Sequence, residues 1–288
     1  MTKSRAKYFV LMGVFFTSLS SIIIRLSSSP SLIISSYRML ITVVILAFPM
    51  LIKHKGELKK VEKKDFLLCV VSGVFLALHF AFWIASINMT TIASSTVLVS
   101  CSPIFVAIAS YFLFKEKLSK KAIFSILLAF CGTIFIALEG NSSGAESAVL
   151  GNTMAFLGGI FVAGYFIIGN IVRKRINAIP YVFIVYSVST VVLFALCIAT
   201  KTPLYPYPLK EFLLFFALAL FCSILGHTIY NWMTQYVTAT FISSSTLCEP
   251  VFASIMALII FKETPSINTL IGGIIILIGI FLFTTEKK

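Results

Sequence analysis

Ser243-Ser244-Ser245-Thr246-Leu247-Cys248-Glu249-Pro250-Val251-Phe252 sets a carboxylate beside a proline, roughly halfway along an apolar segment that runs on to Phe261-Lys262-Glu263. Both residues are costly inside a membrane. Proline removes a helical hydrogen bond. A carboxylate at the bilayer centre costs at least a few kcal/mol unless it is paired, protonated or wet. A second stretch runs parallel 147 positions earlier: Ser100-Cys101-Ser102-Pro103-Ile104-Phe105, continuing to Phe114-Lys115-Glu116, with Ser102 where Glu249 stands. Working outward from this stretch raises two questions: whether the chain crosses a membrane, and whether it is built twice.

Composition answers the first. Of 288 residues, 59% are hydrophobic and 11% are charged, against about 25% charged in soluble domains. A soluble fold of this length cannot hide so much apolar surface, so the expected fold class is an all-α polytopic membrane protein. Apolar segments fall at about 8–24, 31–52, 66–87, 92–114, 122–138, 149–172, 178–199, 212–236, 239–261 and 267–284. Most approach the ~20 residues that cross a hydrocarbon core. The period-two pattern of barrel strands is missing. Lys3, Arg5 and Lys7 ahead of an apolar run imitate a signal peptide, but no small-x-small cleavage site follows, and the run is read as the first membrane helix. The six cysteines lie in apolar segments without metal-ligand spacing, so neither a disulfide framework nor a metal is expected.

The net charge of +13 would suggest nucleic acid in a soluble protein. Its distribution gives another account. With the N-terminus in the cytoplasm, 18 of the 23 Lys and Arg residues fall on inside segments, and only Arg25, Lys201, Lys210 and Lys262 fall outside. That bias orients ten spans with both termini cytoplasmic, and makes the lipid bilayer, not nucleic acid, the expected partner.

The second question turns on the offset of 147. Identical pairs include Cys101/Cys248, Pro103/Pro250, Phe105/Phe252, Lys115/Lys262, Glu116/Glu263 and Gly132/Gly279. A unit of five crossings is odd, so its second copy enters the membrane from the opposite side. The chain is therefore expected to form ten transmembrane helices as two inverted five-helix repeats, residues 1–140 and 149–288, together one transporter domain. This architecture serves alternating access. Pro103 and Pro250 are the expected structural helix breaks, shared by both halves.

The motifs in these repeats resemble those of the drug/metabolite transporter superfamily, EamA family. They are Leu78-His79-Phe80-x-Phe82-Trp83-Ile84, Thr90-Thr91-Ile92-Ala93-Ser94-Ser95-Thr96 and Pro103-Ile104-Phe105 in the first half, and Gly226-His227-Thr228-x-Tyr230-Asn231-Trp232 and Cys248-Glu249-Pro250-Val251 in the second. Arg38 on the second span also fits. The chain departs from the pattern in carrying Lys where a small residue usually precedes each terminal Glu. The resemblance implies a central cavity flanked by spans three, four, eight and nine, peripheral packing of spans five and ten, and export in preference to import.

Candidate substrate-binding residues are Arg38, His79, Trp83, His227, Tyr230, Asn231 and Glu249. Arg38 either snorkels to the outer interface or meets an anion in the cavity. Glu249 is either a hydrogen-bonded structural carboxyl or a site for a substrate amine or a coupling proton. His79 and Trp83 share a helix face, and His227, Tyr230, Asn231 and Thr234 form a polar stripe that should face protein, not lipid.

The chain is thus expected to be a secondary-active transporter of small metabolites, with amino acids or related organic compounds first. It is placed in a bacterial-type inner (plasma) membrane, as a monomer or homodimer, without cofactors beyond a coupling proton. The alternative is a facilitative carrier for a sugar, nucleotide-sugar or other metabolite. A receptor or channel suits an inverted repeat poorly. An enzyme lacks its motifs: no HExxH, no Mg²⁺ carboxylate cluster and no phosphate loop occur.

Overall fold

A computed structural model of the chain describes residues 3–114, 119–137, 145–233, 236, 245–246 and 248–284, and every regular element among them is helical. Six helical runs are long and apolar enough to cross a membrane: Ala6–Leu26, Ser31–Leu58, Lys63–Ile87, Glu146–Val172, Ala178–Ala199 and Leu209–Met233. Shorter apolar helices cover Ile92–Val106, Ile123–Gly132, Cys248–Phe261 and Ile267–Gly279. Helices suit this setting because each satisfies its own backbone groups, leaving apolar side chains such as Phe48, Leu67, Phe112 and Ile259 exposed on the outer surface.

The elements are α1 (Lys3–Leu26), α2 (Ser31–Pro49), α3 (Lys55–Leu58), α4 (Lys63–Ile87), α5 (Ile92–Val99), α6 (Ser102–Phe114), α7 (Lys120–Ala137), α8 (Ala145–Val172), α9 (Ala178–Ala199), α10 (Leu209–Ala217), α11 (Ile229–Met233), α12 (Cys248–Phe261) and α13 (Ile267–Thr284). The segment expected as one helix over 92–114 is two. α5 starts on the Thr91 cap, whose hydroxyl accepts the Ser94 N–H at 3.1 Å. The chain then breaks at Ser100-Cys101, and Pro103 sits in the first turn of α6, where its missing N–H costs little. Pro250 lies likewise in the first turn of α12. Ser243, Ser244, Lys115 and Glu116 lie outside the described residues.

Span 212–236 also differs from a plain helix. α10 widens into a π-helical segment, Leu218–Thr228, before α11. Wide turns of this kind shift every later side chain around the axis, and they concentrate at functional sites.

In the main body α4 packs on α8 and α9, α9 on α2, and α1 on both the π-helical segment and α12. α7 pairs with α13. That pair meets through glycines. A β-carbon at Gly132 would stand 2.5 Å from the Gly272 carbonyl oxygen and 2.7 Å from Ile276 Cγ1. One at Gly279 would stand 2.8 Å from the Ser125 oxygen and 3.0 Å from the Ala129 nitrogen. The contact is reciprocal: Ser125, Ala129 and Gly132 of α7 meet Gly272, Ile276 and Gly279 of α13, each 147 positions on. With no hydrophobic force between helices in lipid, such close approach supplies the attraction.

Ion pairs tie the helix ends. Arg175, in the connection after α8, donates through Nε to both Asp65 carboxylate oxygens at 3.0 Å. These bonds hold the Arg175 guanidinium above its ordinary pKa. At the other end of the bundle Glu263 accepts the Ile92 N–H at 2.6 Å and lies 3.4 Å from Arg25 Nη1.

Candidate functional site

Two glycines bring α1 against the helical run Leu209–Met233. A β-carbon at Gly13 would fall 2.7 Å from Tyr230 Cε1, and one at Gly226 would fall 2.5 Å from Thr17 Cγ2. The approach brings Thr17, Tyr230 and Glu249 together. Both hydroxyls donate to Glu249 Oε1, Thr17 at 2.6 Å and Tyr230 at 2.9 Å, and their oxygens lie 2.9 Å apart. Glu249 stands in the first turn of α12, so backbone N–H groups at that helix start add favourable potential. A carboxylate held by two hydroxyls can stay charged or take a proton with little rearrangement, because hydroxyls both donate and accept.

Arg38 forms a second centre. Its side chain is 0% exposed, so the guanidinium does not reach an interface. Nε donates to Ser223 Oγ at 2.9 Å, and Nη1 donates to Ser20 Oγ at 3.1 Å. Cζ lies 4.4 Å over the Phe80 ring, a contact worth about 2 kcal/mol when desolvated. Nη2 has no hydrogen-bond partner among the described residues. The ion pairs among the described residues are Arg25–Glu263, His54–Glu57 and Arg175–Asp65, so Arg38 and Glu249 are not paired with each other.

The remaining candidates surround Phe80 or border it. His79 stacks on Trp83 with ring centroids 5.7 Å apart and planes 6° apart. Its Nδ1 lies 2.9 Å from the Gly158 carbonyl. Gly158 lets α8 come this close, since a β-carbon there would fall 3.2 Å from Trp83 Cβ. His227, near the end of the π-helical segment, sets its ring edge-on to Phe80 at 6.0 Å. Its Nδ1 and Trp83 Nε1 are buried without a hydrogen-bond partner among the described residues.

The expected stripe on the eighth span divides. Tyr230 turns to α1 and α12, whereas Asn231 Nδ2 donates to Tyr165 OH on α8 at 2.9 Å and to the His227 carbonyl at 2.8 Å. Thr234 lies outside the described residues. Arg38, His79 and His227 are thus gathered around Phe80 with Trp83 stacked on His79, Glu249 and Tyr230 form a separate group with Thr17, and Asn231 faces α8. Sequence reasoning missed Thr17, Ser20 and Ser223. A signal for the first two was present, because Thr17-Ser18-x-Ser20-Ser21 is a hydroxyl run inside an apolar span.

Comparison with known proteins decides the family. The model of the EamA-like transporter family matches residues 5–138 and again 149–285. The chain belongs to the EamA-like transporter family. It is therefore a multi-pass membrane transporter, and its relatives carry transporter names, not enzyme ones. The Bacillus subtilis (strain 168) protein "Uncharacterized transporter YetK" is 28% identical over 266 residues, which cover 90% of this chain and 80% of that protein. The Pseudomonas aeruginosa "Pseudopaline exporter CntI" is 24% identical over 222 residues, covering 77% of this chain and 76% of that protein. A solved structure, "Crystal structure of protein", matches the fold with a TM-score of 0.65 at 18% identity, over 97% of this chain and 96% of its own.

Proposed function

We propose that this EamA-like transporter exports small metabolites, amino acids or related organic compounds first, by secondary-active alternating access. One observation carries the reading: the bundle holds two opposite charges, a fully buried Arg38 on α2 and a half-buried Glu249 on α12, and does not pair them with each other. Charges retained inside a membrane bundle mark pathways for substrates and ions. Opposite charges in separate settings suit a zwitterion, with Arg38 on its anionic end and Glu249 on its amine or on a coupling proton.

Two findings support ten helices in two inverted repeats, residues 1–140 and 149–288. The family model matches twice, in these halves. The α7–α13 contact uses the same positions of each half, as a two-fold relation between the halves requires. The Lys and Arg distribution supports an inner-membrane orientation with both termini cytoplasmic. The name of CntI as an exporter supports the direction.

Trans-stimulated uptake in proteoliposomes tests this reading. Labelled solute outside should enter faster, and saturably, when vesicles are preloaded with the same unlabelled solute. Uptake that rises linearly with concentration and ignores preloading points to a channel.

A further inference from the structure

We propose that Arg38 is the receptor for a carboxylate carried by the transported molecule, an inference that rests on the transport reading above. The guanidinium is fully buried, with neutral hydroxyls on two of its nitrogens and an aromatic ring under its face. None of these neutralises it, and Nη2 has no acceptor among the described residues. A buried cation lacking a counter-ion is costly. An incoming anion relieves that cost, and a planar carboxylate matches the guanidinium fork.

The surroundings show the same imbalance. Among the described residues Trp83 Nε1 is buried without a partner, and an indole N–H can only donate. His227 Nδ1 is likewise unpartnered and can donate in the matching tautomer. These groups are gathered through Phe80: His227 lies edge-on to its ring at 6.0 Å, and His79, 5.0 Å from that ring, stacks on Trp83. The deficit around Phe80 is one of acceptors, which selects an oxyanion and disfavours an ammonium group. The acids inside the bundle do not fill it: Glu249 is engaged with Thr17 and Tyr230, Glu211 with Ser28 and Ser29, and Asp65 with Arg175.

The test melts purified full-length protein with matched probes: L-phenylalanine against L-phenylalaninamide, lactate against lactamide, and succinate against succinamide. At least one carboxylate should raise the melting temperature, and its amide should not. Arg38→Gln should lose this stabilisation. If that variant does not fold, two milder ones carry the test. Arg38→Lys keeps the charge without the fork, and Trp83→Phe removes the indole N–H while keeping an aromatic ring, smaller than indole, at that position. Each should weaken carboxylate binding about tenfold.

No carboxylate-dependent stabilisation in the panel, equal protection by the amides, or unchanged carboxylate affinity in both Arg38→Lys and Trp83→Phe overturns the assignment. Counterflow with the same probes separates this inference from the transport reading. Carboxylates that bind but never move keep the receptor and remove transport. Saturable movement of amides, indifferent to Arg38, keeps transport and removes the receptor.

Discussion

At the α7–α13 contact the two halves of the chain present the same positions to each other: Ser125, Ala129 and Gly132 against Gly272, Ile276 and Gly279. At Arg38 and Glu249 they present different ones. Arg38 has Val185 at the offset of 147, and Glu249 has Ser102. The positions repeated at that contact carry close packing and no ionisable group. The unrepeated ones carry charge, hydroxyl partners and unfilled donors. The difference separates what holds the bundle together from what it handles. Pro103 and Pro250 fall on the repeated side, each in the first turn of its helix.

The sharpest way to break this comparison is Arg38→Gln. It removes the buried charge and should weaken solute affinity in counterflow about 100-fold, or ~3 kcal/mol. Wild-type affinity would move Arg38 to the structural side. Next come Gly132→Val and Gly279→Val. Each forces a side chain into the α7–α13 contact and should lower stability by about 1–3 kcal/mol in thermal melts, by similar amounts and without changing solute affinity per folded molecule. A large cost at one glycine and none at the other would mean the contact is not reciprocal.

Tyr230→Phe and Thr17→Val each delete one donor to Glu249. Each should change solute affinity or its pH response by about 1 kcal/mol, and the double variant should differ from the sum because the hydroxyls share one oxygen. The smallest effect is expected at Glu263→Gln. It keeps the acceptor for the Ile92 N–H and loses only the partly exposed Arg25 pair, so melts should shift by less than about 1 kcal/mol.

Much of this division was legible before the fold. Apolar segment length and the low charged fraction fix a helical membrane protein, since no other lipid-exposed arrangement but a closed barrel satisfies the backbone. Glu249 and Arg38 stood out because charge is rare in such segments. The π-helical turn at Leu218–Thr228 was not legible, because its side chains are as apolar as those of an α-helix, and only the backbone reveals the extra residue. The stripe divides because Tyr230 and Asn231 are consecutive in α11, about 100° apart around the helix. The break at Ser100-Cys101 was similarly hidden, although Pro103 marked its neighbourhood. The partners Thr17, Ser20 and Ser223 depend on which helices meet, and glycine spacing alone did not specify that α1 approaches the helical run Leu209–Met233.

The central claim is that the unrepeated charges move the solute. Its most direct measurement is counterflow in proteoliposomes across a range of pH, comparing the wild-type protein with Glu249→Gln, using the strongest stabiliser found in the melting screen as the labelled solute. The account predicts saturable, trans-stimulated uptake that varies with pH in the wild type and loses that variation in Glu249→Gln. The same rate and the same pH profile in both proteins would contradict it.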